Sequence, residues 1–457
     1  MGQHPSLTLQ AFWGGQWHDA ADVTFTEPDQ GLLSDGIRLS YRAEYVNQAL
    51  DLRALPPGEH LQLTDERALS VNLPASFMGD YVGPPVAAFL RDIIPQGAGR
   101  RHLARHLGYP ETVEQSADLP LLRAGCIAPI GNLRIREAAD SFQQKLNTAG
   151  VQGFTGAEIT DRADELIEHA RHPNIAIGST SGIGGDAPKL MITEATDGLF
   201  YLEGSCSDAR ATRHWIIKFP RGRRSSRDQD VLRGEAAVYR ALASTKVRSI
   251  QKAQLVDSER GPALWLERFD RRKDEDEPLQ RLGMESIYSL MGVRGDGASL
   301  SHNNVVRTLM ARFKDDDMLV DYLVNDIINE TIGNRDNHGR NIAFLKDQGK
   351  FRMAPAFDLA PMVLDPEGIS RTCAWDNEWR IGTRGDYASV LQSIAIAPAS
   401  AQDNMLEKLR SIANLRKRLN HSGAPAAMME HPGFRPELPD TVIDELSGDG
   451  HAQSQPR

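Results

Sequence analysis

Residues 333–345 read GNRDNHGRNIAFL, and they constrain this chain more than any other stretch. The run follows a long helical pattern, MLVDYLVNDIINETIG, and leads into an apolar strand-like segment. Asp336 and Asn341 therefore sit on one short loop between a helix and a strand, and can face a single point. A carboxylate there can accept or orient the proton of an attacking hydroxyl, and an amide oxygen can hold a cation. A second carboxylate follows in APAFDLAP, where Asp358 lies between Phe357 and Leu359. That setting is poor for plain solvation and favours a metal or hydrogen-bonding role. Hard oxygen ligands of this kind suit Mg2+ rather than zinc. The plainer alternatives are a turn in which Asp and Asn satisfy the backbone, and a local cap at Asp358.

The loop fits the protein-kinase catalytic pattern H-R-D-x-x-x-x-N through Arg335, Asp336 and Asn341, with Asn334 in the histidine position, and Asp358 falls where that pattern has D-F-G. The other parts such a site needs lie upstream in the right order. GSTSGIGGDAPK, residues 178–189, carries Gly182, Gly184 and Gly185, whose backbone N–H groups can approach phosphate oxygens. It is not a Walker A sequence, and alone it reads as a flexible turn. WIIKFP places Lys218 after β-type residues, as a phosphate-pairing lysine requires. Glu235 opens a helical pattern, GEAAVYRALAST, and is the expected ion-pair partner of Lys218. The segment from Leu266 to Phe269 ends the β section and is the expected hinge, with Glu267 and Phe269 against adenine.

Along the chain, residues 1–145 read as a β-rich N-terminal subdomain, 146–270 as a β-rich lobe with the glycine-rich loop and hinge, 271–422 as a helical lobe with the catalytic loop, and 423–457 as a largely disordered tail. The expected fold is α+β: a protein-kinase-like, two-lobed arrangement preceded by the N-terminal subdomain. REAADSFQQKLNTAGVQGFTGAEI reads as a polar separator. With 52 Lys+Arg against 62 Asp+Glu, the net charge of −10 argues against a general nucleic-acid coat. No apolar run approaches the ~20 residues that span a bilayer, and the N-terminus lacks signal-peptide order, so a cytoplasmic protein without membrane contact is expected. Cys126, Cys206 and Cys373 lie far apart, against a disulfide framework. The Arg221–Arg227 run reads equally as solvated loop or phosphate neighbour. The acidic runs at 274–277 and 315–317 read as solvated surface, and Trp375 and Trp379 as core packing.

These motifs, with FLRDIIPQGAGRRHLARHLG and DLPLLRAGCIAPIGNLRI upstream, resemble the HipA-like serine/threonine kinases, toxins of bacterial toxin–antitoxin modules, over roughly residues 10 to 420. The resemblance implies Asp336 as catalytic base and Asn341 and Asp358 as Mg2+ ligands. It implies Lys218 on the phosphates of ATP and Glu267 and Phe269 at adenine; Lys189 reaches the phosphates as well. It further implies inhibitory autophosphorylation in the glycine-rich loop, where Ser179, Thr180 and Ser181 are the candidates. The implied partners are a protein substrate, such as an aminoacyl-tRNA synthetase or another translation component, and a separate HipB-like DNA-binding antitoxin, so that DNA is met only indirectly. The rival readings are a small-molecule phosphotransferase and a DNA-associated corepressor with weak catalysis.

Overall fold

The structure, a computed structural model, describes residues 4–50, 63–109, 116–161, 187–221, 224–273, 278–295, 297–365 and 368–448. The glycine-rich loop with Ser179, Thr180, Ser181, Gly182, Gly184 and Gly185 lies outside the described residues, as do Arg223, the acidic run 274–277 and the last nine residues. The chain divides into two compact units. One comprises Met1–Arg221, Asp257–Asp296 and Leu345–Phe351; the other comprises Gly222–Val256, Gly297–Phe344 and Arg352–Arg457.

In the first unit, β1 (Ser6–Trp13), β2 (Gln16–Phe25), β3 (Ile37–Tyr41), β4 (Asp80–Val82) and β5 (Leu133–Ile135) form one antiparallel sheet in the order β4-β3-β2-β1-β5. The β1–β2 hairpin turns on Gly14 and Gly15, both at positive φ (58° and 80°). A two-residue turn that matches strand twist needs such angles, which glycine adopts without a Cβ clash. β1 is buried along nearly its whole length because helices cover the sheet. These include α1 (Ala43–Ala49) on β2 and α2 (Pro84–Leu90) on β3 and β4, followed in the chain by α3 (Gly97–His106), α4 (Asp118–Gly125) and α5 (Arg136–Ala149), the last packed on β1. The expected polar separator thus begins as a helix. Ala138, Phe142 and Leu146, four apart, supply a buried stripe that is too sparse to stand out among polar neighbours.

A second sheet holds β6 (Lys189–Ala195), β7 (Phe200–Leu202), β8 (Ala211–Lys218) and β9 (Gly261–Glu267), with neighbours running β7, β6, β8, β9. Its inward side chains, Leu190, Ile217 and Trp265 among them, join one apolar core with Leu9, Leu39, Phe89 and Ile135 of the first sheet. The segments expected to part at 145 and 146 therefore share a core.

Beyond β9, alternation turns Arg268 and Asp270 inward and leaves Glu267 and Phe269 half-buried. Arg268 donates from Nε to Asp270 Oδ1 (3.0 Å), from Nη2 to Asp270 Oδ2 (2.7 Å) and to the Pro129 carbonyl (3.1 Å). Its Nη1 lies 3.4 Å from Glu203 Oε1. Glu203 in turn accepts from Thr193 Oγ1 (3.0 Å) and pairs with His214 Nδ1 (2.9 Å). Burial is the largest influence on the Asp270 carboxyl and pushes it up; Arg268, Arg271 and the Gly131 N–H outweigh that and hold it down at about 2. Glu203 is likewise held low against its burial by His214, Arg268 and Arg271. A charge taken out of water stays ionised only with such company.

The second unit is mainly helical. α6 (Ser226–Leu242) starts with a capping box, in which the Ser225 side chain accepts from the Asp228 N–H and Asp228 reaches back to the Ser225 N–H. Glu235, expected to open this helix, sits well inside it, because the first two turns are polar and carry no apolar periodicity. α7 (His302–Phe313) precedes α8 (Asp316–Ile332), a helix buried on all sides. Asp315 is its N-cap, accepting from the Asp317 and Met318 N–H groups, and Asp316 accepts from the Ile396 and Ala397 N–H groups. The acidic run at 315–317 therefore does structural work rather than merely facing solvent. The helical texture after 270 is interrupted by short strands, for example Leu300–Ser301 paired in parallel with Cys373–Ala374.

α9 (Pro398–Ser411) and α10 (Leu415–His421) are followed by two further helices, α11 (Ala426–Met429) and α12 (Leu438–Ser447). Residues 423–448 are thus ordered where a disordered tail is expected. Met428, Phe434, Leu438 and Val442 are buried, and these few apolar anchors outweigh a Pro- and Gly-rich composition. Among the described residues, no helix is long and apolar enough to cross a membrane.

Candidate active site

α8 ends at Gly333, whose φ of +67° caps the helix and turns the chain into the 334–341 loop. Two bonds tighten that loop: the His338 N–H donates to the Asp336 carbonyl (2.9 Å) and the Asn341 N–H to the His338 carbonyl (2.8 Å). Asn341 Nδ2 then donates to the Asp336 carbonyl (2.9 Å) and to Asp358 Oδ2 (3.0 Å). Both partners are acceptors, so the amide nitrogen must face them and the Asn341 oxygen points the other way. The three residues singled out from the sequence, Asp336, Asn341 and Asp358, are thereby joined in one hydrogen-bonded cluster. His338 lies in the same loop, with Nδ1 accepting from the Arg340 N–H (3.3 Å).

Asp358 is held at φ +57°, in the left-handed region that costs a non-glycine residue about 1–2 kcal/mol. Asn334 fastens it there. Asn334 is buried, and its Nδ2 donates to the Asp358 carbonyl (2.9 Å) and to Asn329 Oδ1 (2.8 Å), while its Oδ1 accepts from the Asp336 N–H (3.0 Å). One side chain thus fixes the backbone of both acidic residues. Its place in the catalytic-loop pattern is visible in the sequence; this bridging role is not.

Sequence reasoning also missed Tyr239. It lies four residues after Glu235 on α6, so both share a helix face. Its hydroxyl donates to Glu235 Oε1 (3.1 Å) and accepts from the Leu359 N–H (3.4 Å), next to Asp358. Burial above all, with Glu235 and Asp358 nearby, raises the Tyr239 hydroxyl well above its usual range, so it stays protonated and able to donate. Glu235 therefore belongs to the Asp358 cluster through Tyr239. Tyr239→Phe is expected to destabilise the chain by about 1–3 kcal/mol, because it removes the buried hydroxyl that donates to Glu235 Oε1 and accepts from the Leu359 N–H. Urea denaturation reads this directly, and unchanged stability would show that the two bonds carry no weight.

In the first unit, Lys189 of β6 and Lys218 of β8 are direct cross-strand partners. They share one face of the sheet, and like charges directly opposite are unfavourable unless an anion lies between them. Lys218 is buried and Lys189 half-buried. Glu267 ends β9 opposite Trp215, with an oxygen 3.9 Å from Arg213 Nε, and Phe269 follows two residues on. The expected Lys218–Glu235 pair joins residues of different units and remains an expectation from the sequence.

The HipA-like C-terminal domain family matches residues 181–417, more than half of the chain. The chain belongs to the HipA-like family. The fold of this HipA-like chain is similar to that of a chain in the Shewanella oneidensis MR-1 toxin–antitoxin complex of HipA, HipB and operator DNA, with TM-score 0.57, 16% identity and 97% of each chain covered. That likeness is one of fold, and it agrees with the α+β, kinase-like class expected from the sequence. A Sinorhizobium fredii protein named "Putative kinase Y4mE" is 29% identical over 200 residues, 41% of this chain and 43% of that one. The chain thus matches less than half the length of this curated relative.

Proposed function

We propose that this HipA-like chain is a protein kinase that transfers the γ-phosphoryl group of ATP to a serine or threonine hydroxyl. The observation that carries the proposal is the Asp336–Asn341–Asp358 cluster, with its Asn341 amide turned so that oxygen donors remain for a cation. Asn341 and Asp358 would hold Mg2+, an assignment that fits hard oxygen donors supplied in small number beside a polyphosphate. Bound Mg2+ would neutralise charge on the phosphate oxygens. Asp336 takes the proton of the attacking hydroxyl as its oxygen bonds to the γ-phosphorus, and the bond from that phosphorus to the bridging oxygen breaks to release ADP. Lys189 and Lys218 bring two cations to the phosphates of ATP in a chain whose net charge is −10. Glu267 and Phe269 are assigned to adenine, and Gly182, Gly184 and Gly185 to the phosphate cradle.

Family membership supports a toxin role, with a HipB-like antitoxin as a separate DNA-binding partner, cytoplasmic action, and inhibitory autophosphorylation at Ser179, Thr180 or Ser181. The test is phosphoproteomics after expression of the wild type and of Asp336→Ala. The expected result is serine or threonine phosphosites on host proteins and on the 179–181 segment, present only with the wild type. Phosphate found only on a small metabolite would instead establish the small-molecule phosphotransferase.

A further inference from the structure

The residues after 422 lie beyond the family match, which ends at 417, yet they touch the elements that carry the site. Gly433 faces Gly333, the residue that opens the catalytic loop. A Cβ on Gly333 would lie 2.9 Å from the Gly433 carbonyl oxygen and 2.6 Å from Val363 Cγ1. A Cβ on Gly433 would lie 2.7 Å from the same Val363 Cγ1. The Val363 side chain is therefore wedged between two glycines, one at the head of the Asp336 loop and one in the C-terminal segment. Its N–H donates to the Gly333 carbonyl (3.0 Å), five residues after Asp358.

Two residues beyond Gly433, the Arg435 N–H donates to the Thr331 carbonyl (2.8 Å), in the last turn of α8. The Arg435 guanidinium donates to Thr383 Oγ1 (2.9 Å) and approaches Glu330 Oε2 at 3.8 Å. The same segment reaches the Glu235 helix. α10 and α11 pack on α6, and a Cβ at Gly234 would lie 3.3 Å from Met428 Sδ and 2.6 Å from Pro361 Cγ. Pro361 is three residues past Asp358. One short stretch of chain thus abuts the loop of Asp336, the segment of Asp358 and the helix of Glu235.

We propose that residues 426–435 are a brace that keeps these three elements in working register, with Gly433 and Val363 as positioning residues. The idea rests on the kinase reading for its functional consequence, while the brace itself is a statement about structure. Val is stiff at χ1, so the clasp has little slack to absorb an added methyl group.

The experiment uses the full chain. Gly433→Ala is expected to lower the turnover number for phosphotransfer at least tenfold, with little change in KM for ATP. It is also expected to speed hydrogen exchange of the amides at 334–341 while leaving most other amides untouched. Val363→Ala placed in the same chain removes the Cγ1 methyl, the closest atom to the added Cβ, leaving His431 Nδ1 at 3.1 Å as the next neighbour, and is expected to restore both readouts. Wild-type turnover together with wild-type exchange in Gly433→Ala would overturn the brace, and so would a defect that Val363→Ala does not relieve. Should Gly433→Ala fail to fold, the wild type decides. The amides of Val363, Arg435 and Asn334 then open with one shared free energy, and an Arg435 amide that exchanges at fraying rates beside a protected loop overturns the idea. If no variant transfers phosphate but exchange responds as described, the kinase reading fails and the brace stands.

Discussion

Asp336→Ala is expected to lower phosphotransfer by about 1,000-fold, in line with the loss of a positioned general base. The Asp336 carbonyl and N–H, not its carboxylate, hold Asn341 and Asn334. Alanine keeps both backbone groups, so the chain should fold and melt close to wild type and still bind nucleotide. The pairing of a dead enzyme with an intact fold separates this account from one in which Asp336 only shapes a turn. Equal turnover of Asp336→Ala and wild type, read by the rate of label transfer from ATP, would return the loop to that plainer role.

The second large effect concerns stability. Arg268→Ala removes the cation that binds both oxygens of buried Asp270 and lies beside buried Glu203. Arg271 still donates to Asp270 Oδ2 (2.6 Å), so the site is weakened rather than emptied. Breaking a buried pair by deleting one partner costs about 3–5 kcal/mol. The lower end is expected here, about 3 kcal/mol in denaturant titration. The pH dependence follows from the low carboxyl of Asp270, held at about 2 in the folded chain. An unfolded Asp takes up its proton near pH 4, so this group contributes its full stability above about pH 4, on the order of 2 kcal/mol. The contribution is lost as the pH falls through about 2. In Arg268→Ala the folded carboxyl titrates higher, and acid unfolding begins at a higher pH than in the wild type. An unchanged acid midpoint would show that Arg268 does not set the Asp270 charge.

What was legible in the sequence was local. The spacing of Asp336, Asn341 and Asp358 placed a cluster that the structure ties together by two bonds from one amide. The β-type run that ends at Lys218 is a strand, and its neighbour begins at Lys189, although only the register shows that the two lysines are opposite. What stayed hidden depends on long-range contact. Asn334 stands in the position of another residue type, and its value lies in bonds to residues 329, 336 and 358. Tyr239 looks like an ordinary core aromatic until the Leu359 N–H meets it. Arg268 and Asp270 lie in and beside the expected hinge, and their inward, paired placement is hidden because burial of charge leaves no mark on composition. The segment after 422 looks disordered by content, and it is ordered because Met428, Phe434 and Val442 find partners elsewhere in the unit. The α6 start was misplaced by two polar turns whose signal is a cap, Ser225 and Asp228, rather than a periodicity.

The central claim is that the chain moves a phosphoryl group from ATP to a protein hydroxyl. Incubating the purified full chain with γ-labelled ATP and Mg2+, then mapping the label by mass spectrometry, tests it most directly. The account predicts covalent label on a serine or threonine of residues 179–181, abolished in Asp336→Ala and by removal of the metal with a chelator. Nucleotide that binds and dissociates with no label on the chain or on any added protein would contradict it.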